Sequence, residues 1–217
     1  MPAHLNHSCI SNSIMDFIGD VMTIYALRDI KKNEEITIRY FPPELAYTQR
    51  DEYAVNKYKF KCDCQLCDLD RKDSMRTVRD ELFYKIITKN SNQQIILNEL
   101  VADVNKMRTT FANRPKFQLQ LITPLDILAK KYRNTCDYKK SAKCFEEIFE
   151  LTKDNNDFIA LAVLKEASND YKNGSQMKKS EKCKEKALNY FTQIYSQKPI
   201  FEQIWEKIFF NGFNFVF

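Results

Sequence analysis

Lys61-Cys62-Asp63-Cys64-Gln65-Leu66-Cys67-Asp68 packs three thiols into a few residues, and a fourth, Cys9, stands far upstream in Asn6-His7-Ser8-Cys9. Zinc takes thiolate ligands without redox change, and a structural zinc site is usually closed by four protein ligands, so three clustered thiols call for one more. Cys9 is the natural candidate, which gives a tetrahedral site of Cys9, Cys62, Cys64 and Cys67. The competing reading is four ordinary thiols, because cysteine often fills cores as a small hydrophobe. Lys61, Asp63, Gln65 and Asp68 make this run a poor core segment, which favours the metal.

Working outward, Ser13 to Ile18 and Val21 to Leu27 are β-prone runs on either side of Gly19-Asp20, a pattern that predicts a tight hairpin. Glu35 to Tyr40, with alternating Ile36 and Ile38, predicts a third short strand that Pro42-Pro43 ends. Residues 44 to 57 read as helical and lead into the aromatic and cysteine run. Asp68-Leu69-Asp70-Arg71-Lys72-Asp73 is a polar boundary, after which helical patterning continues nearly throughout.

In the helical region Tyr138, Ala142, Phe145 and Phe149 fall on one stripe, widened by Ile148 and Leu151, so one face must be buried. Lys139-Lys140-Ser141-Ala142-Lys143-Cys144 recurs as Lys178-Lys179-Ser180-Glu181-Lys182-Cys183, an offset of 39 residues that lies near helical-repeat periods. Cys136, Cys144 and Cys183 have no partners at ligand spacing and are expected to be core or surface helix thiols. The aromatic run from Phe209 to Phe217 is expected to pack back onto the last helices.

Seven cysteines without a secretory signal favour metal ligation in a reducing compartment over a disulfide framework, and no apolar run reaches the length of a membrane span. An intracellular location, nucleus or cytoplasm, is expected, with no membrane partner. Residues 1–70 carry 8 Lys and Arg against 11 Asp and Glu, net −3; the rest carry 26 against 18, net +8, for a total of +5. The mildly acidic end suits a cationic substrate. The basic end alternates lysine with glutamate and has no arginine-aromatic platform, so nucleic acid is not an expected partner.

Four blocks in order carry a resemblance: Asn6-His7-Ser8-Cys9-Ile10-Ser11-Asn12, Arg28-Asp29-Ile30, Asn33-Glu34-Glu35-Ile36-Thr37-Ile38-Arg39-Tyr40, and Tyr58-Lys59-Phe60-Lys61-Cys62-Asp63-Cys64-Gln65-Leu66-Cys67. Together they resemble the C-terminal half of a SET domain with its post-SET zinc motif, as in SET-MYND proteins and fungal-type proteins joining SET to tetratricopeptide-like helices. Ser11 stands where that family usually has proline, and Asn33 where it usually has glycine; asparagine also tolerates the left-handed turn. The resemblance implies an α+β chain: a partial SET domain over residues 1–43, a zinc-binding segment over 44–70, and an all-α, tetratricopeptide-like region over 71–217. A SET domain also has an upstream half with a glycine-containing turn against the cofactor, so this chain is expected to be a C-terminal piece of a larger protein.

By the same resemblance the activity is transfer of a methyl group from S-adenosylmethionine to a lysine of a histone or other protein. Tyr40 takes the catalytic tyrosine position, Tyr58 lines the lysine channel, Phe60 stacks on adenine, and Asn6 and His7 contact the cofactor through side chain and backbone. Zinc is then a structural organiser, since four thiolates leave no open position for chemistry. Two other classes stand beside this reading: a non-catalytic, zinc-stabilised helical scaffold for protein partners, and a zinc-dependent nucleic-acid module, which the placement of basic charge away from the cysteines disfavours.

Overall fold

The computed structural model describes residues 4–18, 20–114, 116–155 and 158–195, together with Phe201 and Trp205. The aromatic run from Phe209 to Phe217 lies outside these residues. The chain divides into two compact units, Met1–Phe83 and Tyr84–Phe217.

The first unit has little sheet. Strand β1 (Asn6–His7) pairs in parallel with β4 (Thr37–Ile38), while β2 (Ser13–Ile18) and β3 (Val21–Ala26) form an antiparallel hairpin whose last pair is Ile18 with Val21. The predicted hairpin is therefore present, with Leu27 just beyond it, donating its amide to the Asn12 carbonyl at 2.8 Å. The predicted strand from Glu35 to Tyr40 is shorter than the alternation suggested. The Tyr40 N–H leaves the ladder for the His7 ring, Ile36 is exposed, and only Thr37 and Ile38 keep a strand partner.

Buried Asn12 sets the position of β4. Its side-chain amide donates to the Glu35 carbonyl at 2.8 Å and to Glu34 Oε1 at 3.0 Å, while its Oδ1 accepts the Thr37 N–H at 2.9 Å. Glu34 also takes the Arg28 guanidinium and the Lys31 N–H, closing the loop before β4. Asn33 turns that loop at φ 67°, the left-handed geometry for which asparagine is well suited. At the other departure from the family pattern, Ser11 is buried and its hydroxyl donates to the Ser13 carbonyl at 2.8 Å.

After Pro42-Pro43, α1 (Tyr47–Glu52) runs into a π turn (Tyr53–Lys57), so the helix expected over 44–57 is present in shorter, two-part form. Next come α2 (Gln65–Lys72) and α3 (Arg76–Ser91). The polar run from Asp68 to Asp73 forms the end of α2, and Asp70 within it is 2% exposed. The core of this unit combines Leu27, Ile38, Phe41, Leu45, Ala54 and Leu66 with three of the cysteines.

The second unit is helical, with α4 (Leu97–Thr109), α5 (Ile122–Asn134), α6 (Tyr138–Thr152), α7 (Phe158–Asn173) and α8 (Met177–Tyr195), of which α5 to α8 pack successively. Ala142, Phe145, Ile148 and Phe149 are buried on α6, the stripe read from the sequence; Cys144 and Cys183 are buried and Cys136 is exposed. The six-residue match marks a structural repeat. Met177 opens α8 39 residues after Tyr138 opens α6, and the turns before them agree bond for bond: Asp137 N–H to Tyr132 O and Gln176 N–H to Tyr171 O, with Cys136 and Ser175 both left-handed at φ 58° and 57°. The Lys140 and Lys179 ammonium groups lie over the Tyr132 and Tyr171 rings at 5.3 and 5.2 Å. No helix among the described residues is long and apolar enough to cross a membrane.

Two expected outcomes test these packing arguments. The Arg28 guanidinium first, then Asn12 and the Lys31 N–H, hold the Glu34 carboxyl at about 2, below its ordinary 4.5. A carboxyl depressed in the folded state contributes stability above its unfolded pKa and loses it as pH falls toward the folded one. The difference in urea midpoint between wild type and Glu34→Gln should thus hold from neutral pH down to about 5 and shrink towards pH 2. In the second unit, Phe145 is 1% exposed with the Arg133 guanidinium over its ring at 5.3 Å, so Phe145→Ala should cost about 3 to 5 kcal/mol in denaturant unfolding.

Candidate metal centre and aromatic site

Cys9 follows β1, Cys64 caps the N-terminus of α2 with extended backbone, and Cys67 sits in that helix's first turn. A helix start favours negative charge, which suits thiolates there. The four Sγ atoms lie within 4.8 Å of one another, with Cys9 3.6 Å from Cys67 and 4.0 Å from Cys62. A tetrahedron of sulfurs about 2.3 Å from one zinc ion has edges of about 3.8 Å, so the spacing fits a tetrathiolate site. The protonation pattern fits too. Contact with Cys62, Cys64 and Cys67, with burial added, drives the Cys9 thiol far up, whereas contact with Cys64 and Cys67 drives Cys62 far down. Four thiols this close cannot share protons evenly, and a divalent cation holding all four as thiolates removes the conflict.

Two side chains that the sequence reading did not single out surround the sulfurs. Arg50, on α1 and 2% exposed, points its Nη1 at Cys67 Sγ (3.1 Å) and Cys9 Sγ (3.4 Å) and its Nε at the Leu45 carbonyl (3.2 Å). Its Nη2 donates to Asp70, which lies 3.6 Å from Arg79, which in turn donates to Asp73 at 2.6 Å. Burial opposes the Arg50 charge, yet attraction to Cys9, Asp70 and Cys67 outweighs it and raises the pKa. Arg71 donates to the Cys62 carbonyl at 2.7 Å, holding the first turn of the cysteine run. No local pattern distinguishes Arg50, since an arginine in Tyr47-Thr48-Gln49-Arg50-Asp51-Glu52 reads as surface.

His7 joins the sulfurs to the aromatic residues. Its Nδ1 accepts the Tyr40 N–H at 3.0 Å and its Nε2 lies 3.3 Å from Cys9 Sγ. An imidazole nitrogen that accepts a backbone N–H carries no proton, so the hydrogen is on Nε2 and points at sulfur. Tyr40 is thereby held at both ends, because its hydroxyl donates to the Leu5 carbonyl at 2.6 Å. The Tyr58 ring lies 5.0 Å from Tyr40, and Phe60 meets the Tyr40 ring edge-on at 6.1 Å and the His7 ring at 5.6 Å. Between them Lys59 takes φ 59°, a left-handed turn uncommon for lysine that brings both flanking rings into one cluster. Phe41 and Tyr53, absent from the sequence reading, complete it: Phe41 lies 4.2 Å from His7 and 5.9 Å from Tyr53.

The structure thus brings Cys9, Cys62, Cys64 and Cys67 together, and gathers His7, Tyr40, Tyr58 and Phe60 beside them. Asn6 is placed differently, with its side-chain amide donating to Glu35 at 2.5 Å. With both ring nitrogens of His7 engaged, only its ring face and backbone remain for a ligand. Tyr58 is 36% exposed and Phe60 half-buried, so the cluster presents open aromatic faces.

A metal analysis tests the site. The purified chain should carry one zinc ion, and Cys64→Ser should lose it and disorder the segment around Phe60, because ligation supplies folding free energy directly. Circular dichroism with and without chelator reads the second effect. A folded chain without zinc, or a Cys64→Ser variant that keeps it, would contradict the assignment.

Residues 2–41 match the SET-domain family model. The chain is 34% identical over 86 residues to the histone-lysine N-methyltransferase SMYD3 of Homo sapiens, covering 40% of this chain and 20% of that protein. It is 38% identical over 66 residues to the SET domain and MYND-type zinc finger protein 6 of Schizosaccharomyces pombe, covering 30% and 14%. With the N-lysine methyltransferase SMYD2-B of Xenopus laevis it shares 30% identity over 95 residues, covering 38% and 22%. The match therefore spans only a small part of each relative's length. Residues 2–41 are a SET-domain segment, and the chain is related to proteins of the SET-MYND type.

Proposed function

We propose that this chain is part of a protein-lysine methyltransferase, with Tyr40 at the reacting centre and the four cysteines holding a structural zinc. The observation that carries the reading is the fixing of Tyr40 at both ends, by His7 and by Leu5, in a cluster of partly open rings. Bound S-adenosylmethionine supplies an electrophilic methyl group on a cationic sulfur. The ring cluster suits such a ligand, since aromatic faces favour cations and the half-buried Phe60 offers a surface for a purine.

The chain's own residues have three tasks. Tyr40 gives its single hydroxyl proton to Leu5, so its oxygen lone pairs face the site as acceptors and can orient the reacting groups. Tyr58 and Tyr40 flank the approach of the substrate amine. A lysine ammonium, with an ordinary pKa of about 10.4, must shed a proton before attack, and desolvation between rings favours its neutral form. Phe60 and the His7 ring face wall the donor side and exclude water. The substrate is a lysine of a histone or another protein, in keeping with the names of the relatives. Asn6 and the His7 backbone remain available for donor contacts. The helical unit would then serve protein partners.

The test is a methyl-transfer assay with labelled donor on histone and non-histone proteins, using the natural protein that contains this chain. Tyr40→Phe keeps the ring and loses only the hydroxyl, so the melt should be nearly unchanged while turnover falls on the order of a hundredfold with little change in donor affinity. Absent methyl transfer by the folded, zinc-loaded wild type would instead support the non-catalytic scaffold. Unaltered turnover in Tyr40→Phe would remove Tyr40 from the reaction.

A further inference from the structure

We propose that Arg50 is the counter-cation of the metal centre, a buried positioning residue that lowers the nucleophilicity of the Cys9 and Cys67 thiolates and slows metal loss. The proposal rests on the metal reading of the four cysteines. Four thiolates around one divalent cation leave a net charge of about −2, and burying that charge among Leu66, Ala54 and Phe41 is costly without a compensating donor.

Arg50 meets this need with geometry a lysine could not reproduce. A single planar guanidinium uses all three nitrogens: Nη1 towards two sulfurs at 3.1 and 3.4 Å, Nε on the Leu45 carbonyl, and Nη2 on Asp70. Asp70 stands on α2 three residues after Cys67, so the helix that supplies a ligand also supplies the carboxylate that aims the guanidinium. Charge then alternates outward through Asp70, Arg79 and Asp73, with the side chains of Arg50, Asp70 and Arg79 at 2%, 3% and 0% exposure. An N–H bonded to a metal thiolate draws electron density from sulfur, making it a poorer nucleophile and a poorer site for protonation. His7 reaches Cys9 from the opposite ring cluster, but among the described residues only Arg50 brings a formal positive charge within hydrogen-bond distance of the sulfurs.

The experiment uses the zinc-loaded chain and three variants, Arg50→Met, Arg50→Lys and Asp70→Asn. Zinc release to a chromogenic chelator, alkylation of the loaded protein by N-ethylmaleimide, and the cadmium resonance of the cadmium-substituted protein are read beside a thermal melt. Loss of an outer-shell partner typically costs 10-fold to 100-fold in metal affinity. Release and alkylation should therefore accelerate by about that range in Arg50→Met, and by less in Arg50→Lys and Asp70→Asn, with a shifted cadmium resonance in each. The alkylation rate and the resonance report on sulfur itself, which a purely packing role would leave unmoved. If Arg50→Met does not fold, Arg50→Lys and Asp70→Asn decide. Folded variants that release zinc and react with maleimide at the wild-type rate overturn the proposal. A wild-type chain that takes up no zinc overturns the metal reading beneath it, a separate outcome.

Discussion

The tetrathiolate contact between residue 9 and the run at 62–67 is the constraint on which the first unit depends. Cys9 and Cys62 are 53 residues apart in sequence, and closing a loop of that length costs about 3.5 kcal/mol of chain entropy before any constant is added. The sheet offers little against this cost, because β1 and β4 share two residue pairs. Structural zinc ligation is worth roughly 10 to 16 kcal/mol in small metal-folded domains, enough to outweigh the loop and leave a surplus for ordering what lies inside it. The hairpin, the Asn12 bracket and the aromatic cluster all lie within or beside the closed loop.

His7 turns that closure into a positioning device. One ring nitrogen faces a metal-site sulfur and the other holds the Tyr40 amide, so the geometry of the cysteines reaches the tyrosine through one rigid imidazole. The same constraint explains the missing strand residues. Once the Tyr40 amide is captured, the chain cannot continue in ladder geometry and turns towards Phe41, whose ring packs on His7. Local regularity is exchanged for the placement of two aromatic side chains.

Much of this was legible in the sequence, for identifiable reasons. Cysteine spacing is a short-range signal, so residues 62–67 could be read directly, and Cys9 followed from the need for a fourth ligand. The hairpin and the α6 stripe were legible because periodicity and turn residues act over a few positions. Arg50 was not. Its neighbours are polar, and only the placement of Asp70 and two sulfurs around it makes a buried cation tolerable. Lys59 was equally hidden, since nothing in Tyr58-Lys59-Phe60 announces a left-handed turn. The repeat stood between these cases. Six matching residues suggested it, while Tyr132 with Tyr171 and Asn134 with Asn173, also 39 apart, were available to extend the match upstream.

That fixed translation has an evolutionary consequence. Because the bonds of one turn reappear unchanged 39 residues later, each helix pair meets its neighbours through the same kind of joint. Gene duplication or excision of one whole block would keep every joint and every apolar face in phase, whereas an insertion of arbitrary length within a helix would rotate the buried stripe towards water. Related chains should therefore differ in this region by whole blocks or by loop-tip insertions. The length of the array would then vary without any change to the cysteine-closed unit.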